Sequence, residues 1–468
     1  MQFDISKSSD KNSWRPQLVA LLRFAVPICI GQVAALGMGM TDVVVAGNYS
    51  KEDLAALMVG ANTWQVVVFF FFGIGLANAP IIGRYFGRKD WQAIRSQLNQ
   101  SIWLAITCGL LAALSVFLCA TYIDLWNIDP EVVSVAQTYL YWVIPGAFAL
   151  SVTPLFRASL ESMNEIYFLM LLSVGAFLIN IVIDIWFVFG GLGLPAMGGA
   201  GCGLATSLVL CTQLAILYWY TSRSKNLRER KLLRGFSLPK WPLIKPTLYL
   251  GLPIGLSLLM EIGFFAGMGL RMADIGVVEA GAHAIAISIA SFVFIVFVSV
   301  GNAVTVKASQ AIGRGEYSNA RQIVFLGLAS VGSLAALTSI TTLGLSKWLP
   351  LLFNRDVDVV QLATKFLLFA ALFQLVDGIQ AIGISGLRAY KDTVTPSIIQ
   401  FFAFWVVGLP IGFLLPGKTV FGYTVGSEGV WIAFCVSLCV SCTILMVRLY
   451  HIVFKHKTHE DELKAVQT

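Results

Sequence analysis

Long apolar runs make up most of this chain, and short polar breaks separate them. A helix needs about 20 apolar residues to cross a bilayer. Stretches of that kind can be placed at 17–47, 55–82, 96–122, 132–154, 166–190, 196–222, 244–273, 280–306, 319–346, 359–384, 394–415 and 426–450. The pattern predicts an all-α polytopic membrane protein with twelve transmembrane helices.

The pattern also runs twice. Phe24-Ala25-Val26-Pro27 aligns with Leu250-Gly251-Leu252-Pro253. The same offset aligns Gly75 with Gly301, the turn Gly87-Arg88-Lys89-Asp90-Trp91 with Gly313-Arg314-Gly315-Glu316-Tyr317, and Arg95 with Arg321. Gly198-Gly199-Ala200-Gly201 resembles Gly426-Ser427-Glu428-Gly429 at nearly that offset. Each half then holds six spans, an even number, so both run in the same direction and an axis along the membrane normal relates them. The expected organisation is a first six-helix bundle over 1–222, a basic linker over 223–243, a second bundle over 244–450 and a tail over 451–468.

Composition agrees with a membrane assignment: 57% of residues are hydrophobic and 12% charged, against about 25% charged in soluble domains. The net charge of +7 would suggest an anionic partner if it were spread evenly, but it is not. With the N-terminus inside, only Lys51, Arg271, Lys347, Arg355, Lys365 and Lys418 fall on the outer side, and the stretch joining spans six and seven is densely basic at Arg223, Lys225, Arg228, Arg230, Lys231, Arg234, Lys240 and Lys245. This is the positive-inside pattern. It predicts a multi-pass protein of a bacterial inner membrane with both termini cytoplasmic, touching anionic lipid and not nucleic acid. The polar N-terminus has no apolar region ahead of a cleavage site, so span one is expected to act as its own insertion signal.

Several chemistries lack a motif. No GxxxxGK[ST] cradles ATP phosphates, and neither HExxH nor GxSxG occurs. An enzyme or a cofactor is not expected. All eight cysteines fall inside spans and read as small packing residues; Cys439 and Cys442 lack the second pair that a zinc site requires. His283, near the start of span eight, reads as interfacial.

Against this background four acids stand out: Asp42, Asp184, Glu261 and Asp377, each deep in an apolar span with no Lys or Arg counted at the same depth. An acid in hydrocarbon costs roughly 2.5–3.5 kcal/mol even on lenient scales and marks an ion or proton path by default. Without a basic partner it must hold a proton or a cation. Asp42 and Asp184 fall near the outer ends of spans one and five, Asn180 lies one turn before Asp184 on the same face, and Thr206 of span six can add a hydroxyl. Glu261 and Asp377 fall near the middle of spans seven and ten, with Gln374 and Gln380 flanking Asp377. The acids do not follow the repeat: Met268 stands opposite Asp42, and Ala35 opposite Glu261. Either group could hold Na⁺ or H⁺ as a coupling ion. Aromatic side chains crowd the same spans, and Trp64, Phe265 and Phe292, with Gln374, are candidate lining for a cavity that takes lipophilic cations through cation–π contact.

These features together resemble the multidrug and toxic compound extrusion (MATE) family, in its NorM-like branch. The resemblance rests on Met40-Thr41-Asp42-Val43-Val44-Val45-Ala46-Gly47, on Asn180-Ile181-Val182-Ile183-Asp184, on Glu261, and on Asp377 followed by Gly386-Leu387-Arg388-Ala389-Tyr390-Lys391-Asp392. It implies a V-shaped pair of six-helix bundles that exports cationic drugs in exchange for Na⁺ or H⁺. It also implies coupling roles for the positions of Glu261 and Asp377 in NorM-like members, and for Asp42, Asn180, Asp184 and Thr206 in other branches. Phe373 stands where some relatives carry a Tyr one turn before the span-ten acid. The expected protein is a monomeric multidrug antiporter. The alternatives are an exporter of polar or lipid-linked metabolites, or a non-transporting receptor or assembly factor.

Overall fold

The structure is a computed structural model describing residues 14–126, 129–191, 193–224, 232–233, 237–420 and 423–467. Of the basic linker, Lys225, Arg228, Arg230, Lys231 and Arg234 lie outside the described residues, as do positions 1–13. Among the described residues twelve helices are long and apolar enough to cross a membrane. The first six are α1 (Trp14–Tyr49), α2 (Lys51–Gly87), α3 (Trp91–Thr121), α4 (Pro130–Ser162), α5 (Ile166–Phe189) and α6 (Gly199–Arg223). The second six are α7 (Trp241–Ile275), α8 (Val277–Gly313), α9 (Tyr317–Leu345), α10 (Val357–Ala389), α11 (Val394–Leu414) and α12 (Glu428–Gln467).

Local chemistry sets many of the boundaries. Ser50, Asp90, Asp129 and Asp356 each accept a hydrogen bond from a backbone N–H of the first turn they precede, satisfying donors that a helix start leaves open. Pro130 occupies the first position of α4, where its missing N–H costs nothing. α2 is interrupted at Ala77, where Asn78 donates its side-chain amide to the Gly75 carbonyl at 3.0 Å. α11 widens into a π turn over Phe402–Gly408.

The ends of α2, α4, α8 and α10 run past the hydrophobic runs to Gly87, Ser162, Gly313 and Ala389. All four lie on the side of the chain ends and the linker, called here the linker face. They are also repeat mates, α2 with α8 and α4 with α10. Their extensions fasten the two bundles together. Arg84 at the end of α2 donates from Nη2 to the Ala389 carbonyl at 2.9 Å. Its repeat mate Gln310, at the end of α8, donates from Nε2 to the Ser162 carbonyl at 2.8 Å. Arg88 donates to the Gly313 carbonyl at 3.3 Å, and Lys307 Nζ to Asn164 Oδ1 at 2.8 Å. Even the left-handed turns recur: Asn164 (φ 66°) follows α4 as Lys391 (φ 64°) follows α10, and Lys89 (φ 58°) follows α2 as Gly315 (φ 80°) follows α8.

Above this latch the bundles join reciprocally, α1 against α8 and α2 against α7. The second crossing depends on glycine: a Cβ on Gly73 would fall 2.6 Å from the Gly255 Cα. Small residues permit such backbone approach where lipid-like apolar surface gives helices little other reason to associate. Within the bundles, α4 packs on α2, α3 and α6, and α10 on α8, α9 and α12.

The second bundle is centred on stacked rings. Phe264 lies parallel to Phe404 at 5.1 Å, and Phe265 to Phe434 at 5.0 Å. His283, expected at the interface, is buried among them, parallel to Phe434 at 6.0 Å and edge-on to Trp431 at 5.7 Å. α8 begins early enough, at Val277, to put His283 in its second turn facing the core.

Gly255→Leu should wedge α2 from α7 at a cost of about 1–3 kcal/mol, visible as a lower Tm in detergent; an unchanged Tm would remove the crossing from the structure's supports. Lys391, in the turn after α10, gives a pH prediction. Burial and the neighbouring Arg84 and Arg88 charges bring its ammonium from 10.5 down to about 8. Between those values the unfolded chain binds the proton more strongly, so stability rises with pH. The wild-type Tm should therefore gain on that of Lys391→Met as pH is raised from about 8 towards 10; parallel curves would contradict it.

Candidate functional site

Three helices of the first bundle carry polar side chains inward at helical spacing. On α1 the buried stripe Ala34, Met38, Asp42, Val45 places Asp42 among apolar neighbours. On α5 the stripe Ser173, Ala176, Asn180, Asp184 places the amide and the acid on one face. On α6, Cys202 and Thr206 are one turn apart and both buried. Packing brings the stripes together. Thr206 Oγ1 donates to Asp42 Oδ2 at 3.1 Å. A carboxylate oxygen of Asp42, one of Asp184 and the Cys202 sulfur all lie within 4.8 Å of one another. Asp184 and Asn180 are 0% exposed, and Asp42 and Thr206 7%.

Polar satisfaction fails here in an informative way. Asp42 Oδ1, both oxygens of Asp184 and both terminal atoms of Asn180 have no hydrogen-bond partner, although Asn180 and Asp184 closely neighbour Asp42. Two ionised carboxylates have no proton to offer each other. Only acids, amides and hydroxyls act on the pair, with no cation among them. Two like charges at such a distance repel by roughly 3–4 kcal/mol even at a generous effective dielectric. The arrangement is therefore built for one shared proton or one bound cation.

A second layer supports it. Tyr139 of α4, buried and within electrostatic reach of both acids, accepts a hydrogen bond from Trp64 Nε1 at 3.1 Å. Trp64, a candidate cavity residue, is thus an interior residue of the first bundle, linked to the acids through Tyr139.

The second bundle is arranged differently. Glu261 of α7 is half-buried and receives a long 3.5 Å hydrogen bond from Gln400 Nε2 of α11. Asp377 of α10 is buried, with Glu261 the charge that acts on it. Arg388, eleven residues beyond Asp377 on α10, acts on Glu261 electrostatically without a described ion pair between them. Gln374 turns its oxygen to the Thr342 hydroxyl of α9 at 3.3 Å, and Gln380 leaves its oxygen unpaired. Phe265 belongs to the aromatic core and Phe373 packs edge-on to it at 6.2 Å; Phe292 is exposed. No described hydrogen bond or ring contact joins Trp64, Phe265, Phe292 and Gln374 to one another.

Four contributors escaped the sequence reading: Cys202, Tyr139, Arg388 and Gln400. Cys202 alone carried a usable signal, its position one turn before Thr206. Cys202 packs in the apolar core of the first bundle, as expected of the cysteines, and also lies beside the two acids.

Residues 27–186 and 253–414 match the MatE protein-family model, one match in each bundle. The chain is 35% identical over 433 residues to Multidrug resistance protein MdtK of Pectobacterium atrosepticum, covering 92% of this chain and 94% of that protein. It is 32% identical over 434 residues to the protein of the same name from Yersinia pseudotuberculosis, with the same coverage of 92% and 94%. In fold it is similar to the crystal structure of the eukaryotic MATE transporter AtDTX14, with a TM-score of 0.83 at 18% identity over 96% of this chain and 99% of that one.

Tyr139→Phe removes the acceptor of a buried indole N–H, which should cost about 1–3 kcal/mol. A Tm in detergent equal to the wild type's would show that Trp64 does not depend on Tyr139.

Proposed function

Because the chain belongs to the MatE family, we propose that it is a secondary multidrug efflux antiporter, exporting lipophilic cationic drugs or dyes in exchange for an inward H⁺ or Na⁺. It is a multi-pass membrane protein of twelve spans; we place its linker face and both termini in the cytoplasm, where the basic linker meets anionic lipid. No ATP or nucleic acid enters the cycle, and one chain, holding both bundles, suffices.

The observation that carries this reading is the pair Asp42–Asp184, in which Asp42 Oδ1 and both Asp184 oxygens have no hydrogen-bond partner. A cation entering from outside would settle between the two acids, with Thr206 and Asn180 supplying neutral oxygens. For H⁺ a single shared proton is enough; for Na⁺ the same oxygens form a partial shell. The second bundle suits the cargo: Glu261 and Asp377 supply negative charge at mid-depth, and Arg388 keeps Glu261 compensated when no cationic drug is present. Exchange requires that the ion favour one conformation and the drug the other. The described latch at the linker face, Arg84 to Ala389 and Gln310 to Ser162, closes that side. Export would release the latch to load drug and re-form it as the ion binds.

The test is efflux of an ethidium-type dye from proteoliposomes under an imposed Na⁺ gradient and, separately, an imposed pH gradient. Wild type should respond to at least one. Asp42→Asn should abolish gradient-driven efflux with protein levels unchanged, and Asp377→Asn should abolish dye export. Full efflux by Asp42→Asn would overturn the coupling role given to the first bundle.

A further inference from the structure

Cys202 is 0% exposed, and its sulfur shares a 4.8 Å cluster with a carboxylate oxygen of each acid. Its own hydrogen bond is a long one, 3.8 Å to the Asp42 carbonyl. An alkali ion would use the oxygens and gain nothing from the sulfur, since hard cations prefer oxygen donors. One thiolate with two carboxylates is instead a donor set for a borderline or soft divalent ion. Zn–S of about 2.3 Å and Zn–O of about 2.0 Å place tetrahedral ligand atoms roughly 3.5 Å apart, so the cluster needs only a small contraction. The unpartnered oxygens of Asp42, Asp184 and Asn180 are an independent sign that the corner is open to a ligand.

We propose that Asp42, Asp184 and Cys202 form a binding site for a thiophilic divalent cation, Zn²⁺ or Cd²⁺, with Thr206 Oγ1 or Asn180 Oδ1 as the fourth ligand, and that its occupancy halts drug export. The proposal rests on the reading of the acid pair as the seat of the coupling ion.

Charge balance favours it. With one shared proton on the acids and the thiol protonated, the site carries a single negative charge. A divalent ion displaces both protons to solvent and bonds to two carboxylates and a thiolate, so the net charge is again one negative. The interior gains no charge in the swap, which avoids the main cost of burying an ion. Because the bound ion holds the acids from both sides, it leaves no seat for H⁺ or Na⁺.

Cd²⁺ is the probe, used with the full-length protein. In detergent, its binding should produce a thiolate-to-Cd²⁺ ultraviolet absorption band and release about two protons per chain into a weakly buffered solution. In proteoliposomes, it should inhibit dye efflux. Cys202→Ser should lose the band, and its efflux, scaled to its own uninhibited rate, should need at least about tenfold more Cd²⁺ for the same inhibition; Cys202→Ala serves if the serine variant does not fold. Equal Cd²⁺ sensitivity in wild type and variant, or a band that persists without Cys202, would overturn the proposal. The binding and proton-release arms do not require transport, so failure of the antiport reading would show separately, as absent gradient-driven efflux with the Cd²⁺ band intact.

Discussion

Two acids held against each other in a dry interior without a counter-charge define this protein. Asp42 and Asp184 come from different helices, and neither could be accommodated alone at their depth without being neutralised. Brought together they share the problem and one solution, a single positive charge between them. The helices around them carry the consequence. Met38 and Ala176 keep the corner apolar, Thr206 anchors one oxygen, and Tyr139 with Trp64 fills the space behind. The unsatisfied oxygens are what this packing leaves unpaired.

The duplicated scaffold and the unduplicated acids have separate physical causes. The latch at the linker face is a symmetric structure: Arg84 and Gln310 occupy equivalent positions and reach equivalent carbonyls across the repeat axis. The acids break that symmetry. In the first bundle the acids form a tight pair. The group of Glu261, Asp377, Gln400 and Arg388 in the second bundle is looser, with one long hydrogen bond and an arginine acting on Glu261. The linker face also holds the Lys391–Arg84–Arg88 cluster, where positive groups act on one another.

How legible the molecule was in its sequence differed between levels. The twelve spans, the repeat and its parallel sense were readable because bilayer crossing imposes a length and a polarity on every helix. The Asn180–Asp184 face was readable because helical spacing is rigid. The ends of α2, α4, α8 and α10 were not, since they continue as helix beyond the apolar runs and are held by contacts with the opposite bundle. His283 was misplaced for a related reason: its neighbours Trp431 and Phe434 come from a helix far along the chain.

By itself the sequence determined that this is a twelve-span, twice-repeated membrane protein with four acids inside its apolar spans, because one-dimensional hydrophobicity and spacing carry that information. Only the tertiary structure decided which groups meet. It set Asp42 against Asp184 while Asp377 and Glu261 stand less closely joined, brought Arg388 within reach of Glu261, and made Cys202 a neighbour of two carboxylates. Those pairings depend on crossings such as Gly73 on Gly255 and on how far side chains extend from their helices, and no single helix encodes either.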